Sequence, residues 1–309
     1  MSSPRTATLT IGTRGSKLAL AQTELVRQAL VAAHPGLEIA IERIPTRGDI
    51  VRDRPLSSVG GKGLFIEEIE QALREGRIDL AVHSAKDLPS TLPPDMALAA
   101  FPRRADPRDV LISRDGRRLA ELPAGARVGT SSVRRACQLR HLRPDLQIEN
   151  LRGNVDTRLR KLTEGQYDAI VLAAAGLERL AALGYATEIL EPEVMLPAVG
   201  QGALAIEVRA GDARTAALLQ PLDDWETRVC VTAERAFLAR LQGGCQVPAG
   251  ALGRLDGGRL LLAGMVGTPE GRVVRGELAG DARRPEELGV RLAEQLLAQG
   301  GRELLRQRA

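Results

Sequence analysis

The chain has 309 residues, 44% of them apolar and only 2% aromatic, with 43 basic against 39 acidic side chains and a formal net charge of +4. That length suits two or three domains, whose cores must be built from Leu, Ile, Val and Ala. The scarcity of aromatic rings, together with the lack of any long basic block, speaks against a nucleic-acid binder, which would interleave basic groups with stacking platforms.

In chain order, Ala7–Ile11 reads as a strand, Gly12–Ser16 as a loop and Lys17–Ala33 as a helix with Leu18, Ala21, Leu25, Ala29 and Leu30 along one side. Ile39–Ile44 alternates as a strand does. The segment 45–63 carries few helix or strand signals and could form a mobile lid. A helix over Leu64–Arg74 and a buried strand over Ile78–His83 follow. Beyond the proline-bearing segment FPRRADPRD, at Phe101–Asp109, the cycle returns. It runs through Val110–Ser113, Arg127–Gly129 with Val133–Leu142, Gln147–Leu151 with Val155–Thr163, and Ala169–Leu172 with Ala174–Leu183. Strands alternating with helices imply βαβ units and a mostly parallel sheet. A second crossing lies in MLPAVGQG, after which the strand-like Ala203–Arg209 could return to the first block. After Trp225 a long helix, Glu226–Leu241, leads through Gly243 and Gly244 to Cys245. Hairpin-like strands near Arg259–Val266 and Val273–Leu278 and a helix over Pro285–Ala298 then make a small α+β domain.

Polar clusters repeatedly follow a strand and open a helix or loop: Thr13-Arg14-Gly15-Ser16, His83-Ser84-Ala85-Lys86-Asp87, Thr130-Ser131-Ser132 and Arg152-Gly153-Asn154. In open α/β sheets the carboxyl ends of the strands form the ligand-binding edge, and helix N-termini there favour anions. Arginine adds a planar fork suited to carboxylates; only four basic residues are lysines, Lys17, Lys62, Lys86 and Lys161. Each cluster alone is also what an ordinary helix cap looks like, and Asp87 is equally placed to start a turn before Pro89. Of the three cysteines, Cys137 and Cys230 sit at core-like helical positions, whereas Cys245 lies in the open loop QGGCQVPAG. On local pattern Cys245 could be a nucleophile or a buried, inert thiol. An odd count without CxxC spacing argues against disulfides, and the three histidines show no metal-ligand spacing. The first ten residues lack the apolar core of a signal peptide and no run is long enough to span a membrane, so a cytoplasmic protein is expected.

Taken together, the strings TRGSKLAL, GGKGLF, DLAVHSAKDLP, VGTSSVRRACQL, LRGNVDTRLRKL, AAAGLERL, LPAVGQGALAIE, VTAERAFLARL and GGCQVPAG resemble the porphobilinogen deaminase (hydroxymethylbilane synthase) family, in order and over essentially the whole chain. The resemblance implies an α/β fold: two doubly wound domains like the halves of periplasmic binding proteins, and a small α+β C-terminal domain. The corresponding division is 1–102 with 203–221, then 107–197, then 225–309. It implies a dipyrromethane cofactor in thioether linkage to Cys245. Four porphobilinogen molecules are then added head to tail, each losing ammonia, before hydrolysis releases the linear tetrapyrrole. Asp87 matches the family's catalytic aspartate, suited to stabilising the cation left by ammonia loss. By motif, Ser84, Lys86, Thr130, Ser132, Arg134, Arg135, Arg152 and Arg158 correspond to cofactor contacts. Arg14, Ser16, Lys62 and Arg179 correspond to substrate contacts. Each pyrrole unit brings an acetate and a propionate, so the growing chain is a polyanion. Two positions depart from the family pattern: Ser58, where many relatives have lysine, and Asp156, where some have glycine.

A non-enzymatic anion-binding protein of binding-protein-like fold is the alternative, and it predicts no adduct on Cys245. The resemblance implies a monomer acting on a small molecule, with neither nucleic acid nor membrane as partner and no metal.

Overall fold

The computed structural model describes residues 8–46, 66–241 and 247–306. In chain order the strands and helices are β1 (Thr8–Thr13), α1 (Lys17–Ala33), β2 (Glu38–Arg43), α2 (Glu67–Arg74), β3 (Leu80–Ser84), β4 (Met96–Ala100), β5 (Asp109–Ser113), β6 (Arg127–Gly129), α3 (Val133–Leu142), β7 (Gln147–Glu149), α4 (Val155–Thr163), β8 (Ala169–Ala173), α5 (Ala174–Arg179), β9 (Glu188–Leu190), β10 (Leu204–Arg209), α6 (Ala213–Leu219), α7 (Trp225–Arg240), β11 (Ala249–Asp256), β12 (Arg259–Gly267), β13 (Val273–Asp281), α8 (Pro285–Leu296) and α9 (Arg302–Arg306). They fall into two compact units, Met1–Arg104 with Ala203–Arg228, and Ala105–Gly202 with Val229–Ala309.

The first unit is built on a sheet of order β2-β1-β3-β10-β4, in which β1 runs parallel to β2 and β3 while β10 is antiparallel to both β3 and β4. The Ala203–Arg209 segment therefore does return to the first block. Both faces of the sheet are covered. Leu9, Ile11, Leu80, Val82, Leu204 and Ile206 pack with Val26 and Leu30 of α1. On the opposite face Ala81 packs with Ile69, Ala72 and Leu73 of α2. Burial on both faces is what turns a strand into a near-continuous apolar run. The α2 face also encloses a polar pair, His83 Nε2 with Glu207 Oε2 at 2.9 Å. Glu70 lies near it, its carboxyl raised above the usual range by burial and by the charge of Glu207.

The second unit holds two sheets. One has the order β7-β6-β8-β5-β9, with β6 parallel to β7 and β8 and β5 antiparallel to β8 and β9. This repeats the arrangement of the first sheet, although the sequence contains no recognisable repeat. In each sheet the reversed strand in fourth place is the one that enters just after the chain changes unit. The expected mostly parallel sheet is thus corrected to a mixed one, because these entering strands run against their neighbours. The third sheet is the antiparallel meander β11-β12-β13. Its core gathers Phe237 of α7, Leu260 and Leu262 of β12, and Leu288, Leu292 and Leu296 of α8. The strand β11 and the short strands β4 and β9 carry weak alternation and are not apparent in the sequence.

Turns between β12 and β13 reach α3 within the same unit. Arg140 Nη1 donates to Pro269 O at 2.6 Å, the His141 ring lies 3.0 Å from Gly271 O, and Arg275 donates to Gln138 and to Glu193 O. Cys137 is fully buried in this contact with Leu196 and Met265, and Cys230 is buried in the C-terminal core, as their helical spacing suggests. Across the buried join, Glu234 of α7 accepts the backbone N–H groups of Gly200 at 2.7 Å and Gly253 at 2.8 Å, one on each carboxylate oxygen.

Candidate functional site

In the first unit, β1 and β3 are adjacent and parallel, so their carboxyl ends share one edge. That edge carries Arg14 and Ser16 after β1, and Lys86 and Asp87 after β3, where Ser84 closes the strand. Ser16 caps α1, its hydroxyl accepting the Ala19 N–H at 3.2 Å. Ser84 is held by the buried Gln22 of α1, whose Nε2 donates to Ser84 Oγ at 2.9 Å. A single 3₁₀ turn, Ala85–Asp87, leaves Lys86 half-buried and Asp87 exposed. The Ala85 N–H donates to Ala203 O at 3.0 Å, which ties this turn to the start of β10.

In the second unit, β6 is parallel to β7 and β8, so Thr130, Ser132 and Arg152 lie at one edge as well. Buried Thr130 accepts the Ser132 N–H on its hydroxyl at 3.1 Å. Ser132 in turn caps α3 by accepting the Arg135 N–H at 3.4 Å. After β7, Gly153 has φ +118°, and a Cβ there would lie 2.6 Å from Thr157 Cγ2, so the Arg152-Gly153-Asn154 turn requires glycine. The turn ends in Asn154, which caps α4 through the Thr157 N–H at 2.9 Å. Arg158 Nε donates to Gly153 O at 2.7 Å. Arg179 at the end of α5 donates to Gly202 O at 2.6 Å, and burial pulls its pKa below the ordinary arginine value. Asp156 sits exposed in the first turn of α4, where a negative charge suits the helix dipole.

Arg134 and Arg135, adjacent at the start of α3, share one partner. Both are buried, and both meet Asp109 of β5. Arg134 Nη1 donates to Oδ2 at 2.7 Å, while Arg135 Nε and Nη2 donate to Oδ1 at 2.9 and 2.6 Å. The two guanidiniums hold the Asp109 carboxyl far below the usual carboxylate range despite its complete burial. The three groups carry two positive charges against one negative, and Arg134 Nε is buried with no hydrogen-bond partner. Leaving a net charge in the interior is costly. A carboxylate, which accepts from guanidinium N–H groups, has the charge and bonding that would balance such a cluster.

Other arginines have blander roles: Arg27 with Glu24 and Arg160 with Glu164 are local, partly exposed pairs of the kind that contribute little. Among the described residues no group of His, Cys, Asp and Glu could hold a metal ion, and no helix is long and apolar enough to cross a membrane. Cys245, Lys62, Ser58 and nearly all of the 45–63 segment lie outside the described residues. Asp109, Gln22 and Gln201 belong to the polar framework but went unmarked as candidates. Asp109 and Gln201 stand inside strings quoted above for other reasons, FPRRADPRD and LPAVGQG.

The fold and these edges define an α/β protein with arginine-bearing strand ends and a small α+β domain. Residues 9–217 match the model of the porphobilinogen deaminase dipyrromethane cofactor binding domain, and residues 228–298 match that of the porphobilinogen deaminase C-terminal domain. A porphobilinogen deaminase of Roseiflexus sp. (strain RS-1) is 66% identical over 298 residues, covering 96% of this chain and 98% of its own. That of Brevibacillus brevis is 53% identical over 296 residues, covering 96% of both. Among solved structures, an ancestral cationic amino acid solute binding protein is similar over 70% of this chain and 88% of its own, at 15% identity and a TM-score of 0.42. The chain belongs to the porphobilinogen deaminase family. It is accordingly a transferase of tetrapyrrole biosynthesis, a hydroxymethylbilane synthase that joins four porphobilinogen molecules and uses dipyrromethane as cofactor. Membership favours this over the non-enzymatic alternative.

Proposed function

We propose that the polar strand ends of this chain divide the work of that transferase between holding carboxylates and handling one positive charge. The observation that carries the reading is the buried Asp109–Arg134–Arg135 cluster, with its net positive charge and the unpartnered Arg134 Nε. Dipyrromethane supplies a pyrrole end, covalently held through Cys245, for attack on incoming substrate. Arg134, Arg135, Arg152 and Arg158, with Ser84, Lys86, Thr130 and Ser132, would bind its acetate and propionate groups. Arg14, Ser16, Lys62 and Arg179 would bind those of porphobilinogen. Charge-assisted bonds from guanidinium to carboxylate are stronger than neutral ones and fix orientation as well.

Asp87 is the residue for the positive charge. Its turn is fixed by the bond from Ala85 to Ala203, so the carboxylate is presented from a rigid base. There it stabilises the cation that develops as ammonia leaves porphobilinogen, and it can take up the proton released when the coupled pyrrole regains aromaticity. The division into 1–102 with 203–221, 107–197 and 225–309 gives each sheet its own domain in this reading. A cytoplasmic monomer with a small-molecule substrate completes it, and the scarcity of aromatic rings speaks against a nucleic-acid partner.

Intact mass of the purified protein tests the primer. The wild type should be heavier than its sequence by two linked pyrrole units. Cys245→Ser should remove the excess, and Cys137→Ser, which alters a buried thiol of the α3 contact, should keep it. An unmodified wild type with full activity would sink the reading.

A further inference from the structure

Asp109 is wholly buried at the start of β5, and its two oxygens are shared among three side chains from distant parts of the second unit. Besides the bonds from Arg134 and Arg135, Oδ1 accepts from Gln201 Nε2 at 2.9 Å. Each donor also grips backbone. Arg134 Nη1 reaches Leu196 O at 2.6 Å, Arg135 Nη1 reaches Val171 O at 2.9 Å and Gln201 Nε2 reaches Pro107 O at 2.7 Å. The two chain segments that enter and leave this unit are themselves joined by the Ala105 N–H to Gly202 O bond at 3.3 Å. Gly202, at φ +85°, could carry no side chain there, because a Cβ would lie 2.4 Å from Ala105 O.

We propose that Asp109 is a positioning residue: it locks Arg134 and Arg135 into one geometry, and one carboxylate for two guanidiniums leaves the pair able to take a carboxylate of the primer. This rests on the function proposed above. The charge count carries the argument. With no carboxylate, two adjacent buried guanidiniums repel each other and lack acceptors. With a second carboxylate the cluster would be neutral and would offer an anion nothing. One aspartate both permits the burial and preserves a single positive charge. Its short side chain, starting from a strand, also has few rotamers to lose, so each guanidinium is aimed by a fixed anchor. Gln201 extends the anchor to the Pro107 backbone without changing the charge.

The test compares wild type, Asp109→Asn, Asp109→Glu and Gln201→Ala by intact mass, thermal unfolding and far-UV circular dichroism. Among folded Asp109→Asn molecules, fewer than about a tenth should carry the two-unit primer, in line with the loss expected when an orienting partner of a first-contact group is removed. Asp109→Glu, which restores the charge but is one methylene too long for the closed site, should recover the priming in part and exceed Asp109→Asn. Gln201→Ala should fold and gain its primer several-fold more slowly, at unchanged net charge. A merely structural aspartate would lower the melting temperature yet leave the folded fraction fully primed, and that result overturns the proposal. If Asp109→Asn does not fold, wild-type priming in Gln201→Ala overturns it instead. A wild type lacking the primer would bring down the proposed function and this inference with it. A primed wild type alongside an equally primed Asp109→Asn would remove the inference alone.

Discussion

Asp87 and Asp109 show how differently two aspartates serve when one is exposed on a turn and the other is closed in a strand. Asp87 stands on the 3₁₀ turn that follows β3, open to whatever approaches the sheet edge. Asp109 has no access to solvent and is committed to two guanidiniums and an amide. Replacing Asp87 with asparagine keeps the turn, since asparagine suits the same local bonds, but removes the charge. The expected outcome is an unchanged melting temperature and a turnover lower by on the order of 10²–10³, as for loss of a preorganised electrostatic stabiliser. Steady-state formation of hydroxymethylbilane, with unfolding curves alongside, checks it. Normal turnover would return Asp87 to the role of turn residue. Sequence pattern marks Asp87 because it sits in a strand-to-turn motif. Nothing local marks Asp109, whose partners lie 25, 26 and 92 residues away.

Among the elements, helix caps make the family strings legible. Ser16, Ser132 and Asn154 each accept the N–H three residues on, so two of the caps, Ser16 and Ser132, are also residues of the candidate site, and the third, Asn154, follows Arg152 in the same turn. A cap and a ligand contact are compatible, because the capping bond uses one lone pair of the hydroxyl or amide oxygen. Packing of α7 against α8 follows another rule. Gly289 of α8 faces α7 so closely that a Cβ would lie 2.2 Å from Ala233 O and 2.8 Å from Phe237 N. Alanine is the better helix former by about 1 kcal/mol, but overpacking costs about 1–3 kcal/mol and more when the obstacle is backbone. Sterics should win. Gly289→Ala is therefore expected to destabilise the C-terminal domain by at least about 1–2 kcal/mol, seen as a lower denaturant midpoint. A rise in the midpoint would show that the two helices can move apart at little cost.

For the molecule as a whole, the growing product sets the demand. Each porphobilinogen adds two carboxylates, while the number of arginines and lysines at the strand ends stays constant. Loss of one positive side chain should therefore matter at a particular product length. Arg14→Leu, Arg134→Leu, Arg135→Leu and Arg152→Leu should differ from one another when incubated with porphobilinogen and read by mass spectrometry. Some should remain unprimed, and others should stop after one, two or three additions. Arg134 and Arg135, bound into the Asp109 cluster, should fall in the unprimed group. Identical wild-type ladders in all four would leave Arg134 and Arg135 as buried structural partners of Asp109 and return Arg14 and Arg152 to the role of partly exposed basic groups.

The sequence by itself determined the alternation of strands and helices, the placement of polar clusters at strand ends, the small α+β domain and the family. All of these are written in short-range signals: a period of two or 3.6, a cap residue, a glycine turn, a string of adjacent residues. Only the tertiary structure decided that both five-stranded sheets are mixed, with the entering strand reversed in fourth place, and that Arg134 and Arg135 share one buried carboxylate. Strand order depends on which surfaces are left to bury once the nearer strands have paired. A buried charge, likewise, is satisfied by whatever the folded chain brings beside it. Asp109, Gln201 and the Leu196 carbonyl converge on the same arginines only because β5 and the returning segment are packed together in three dimensions, and no spacing along the chain records that meeting.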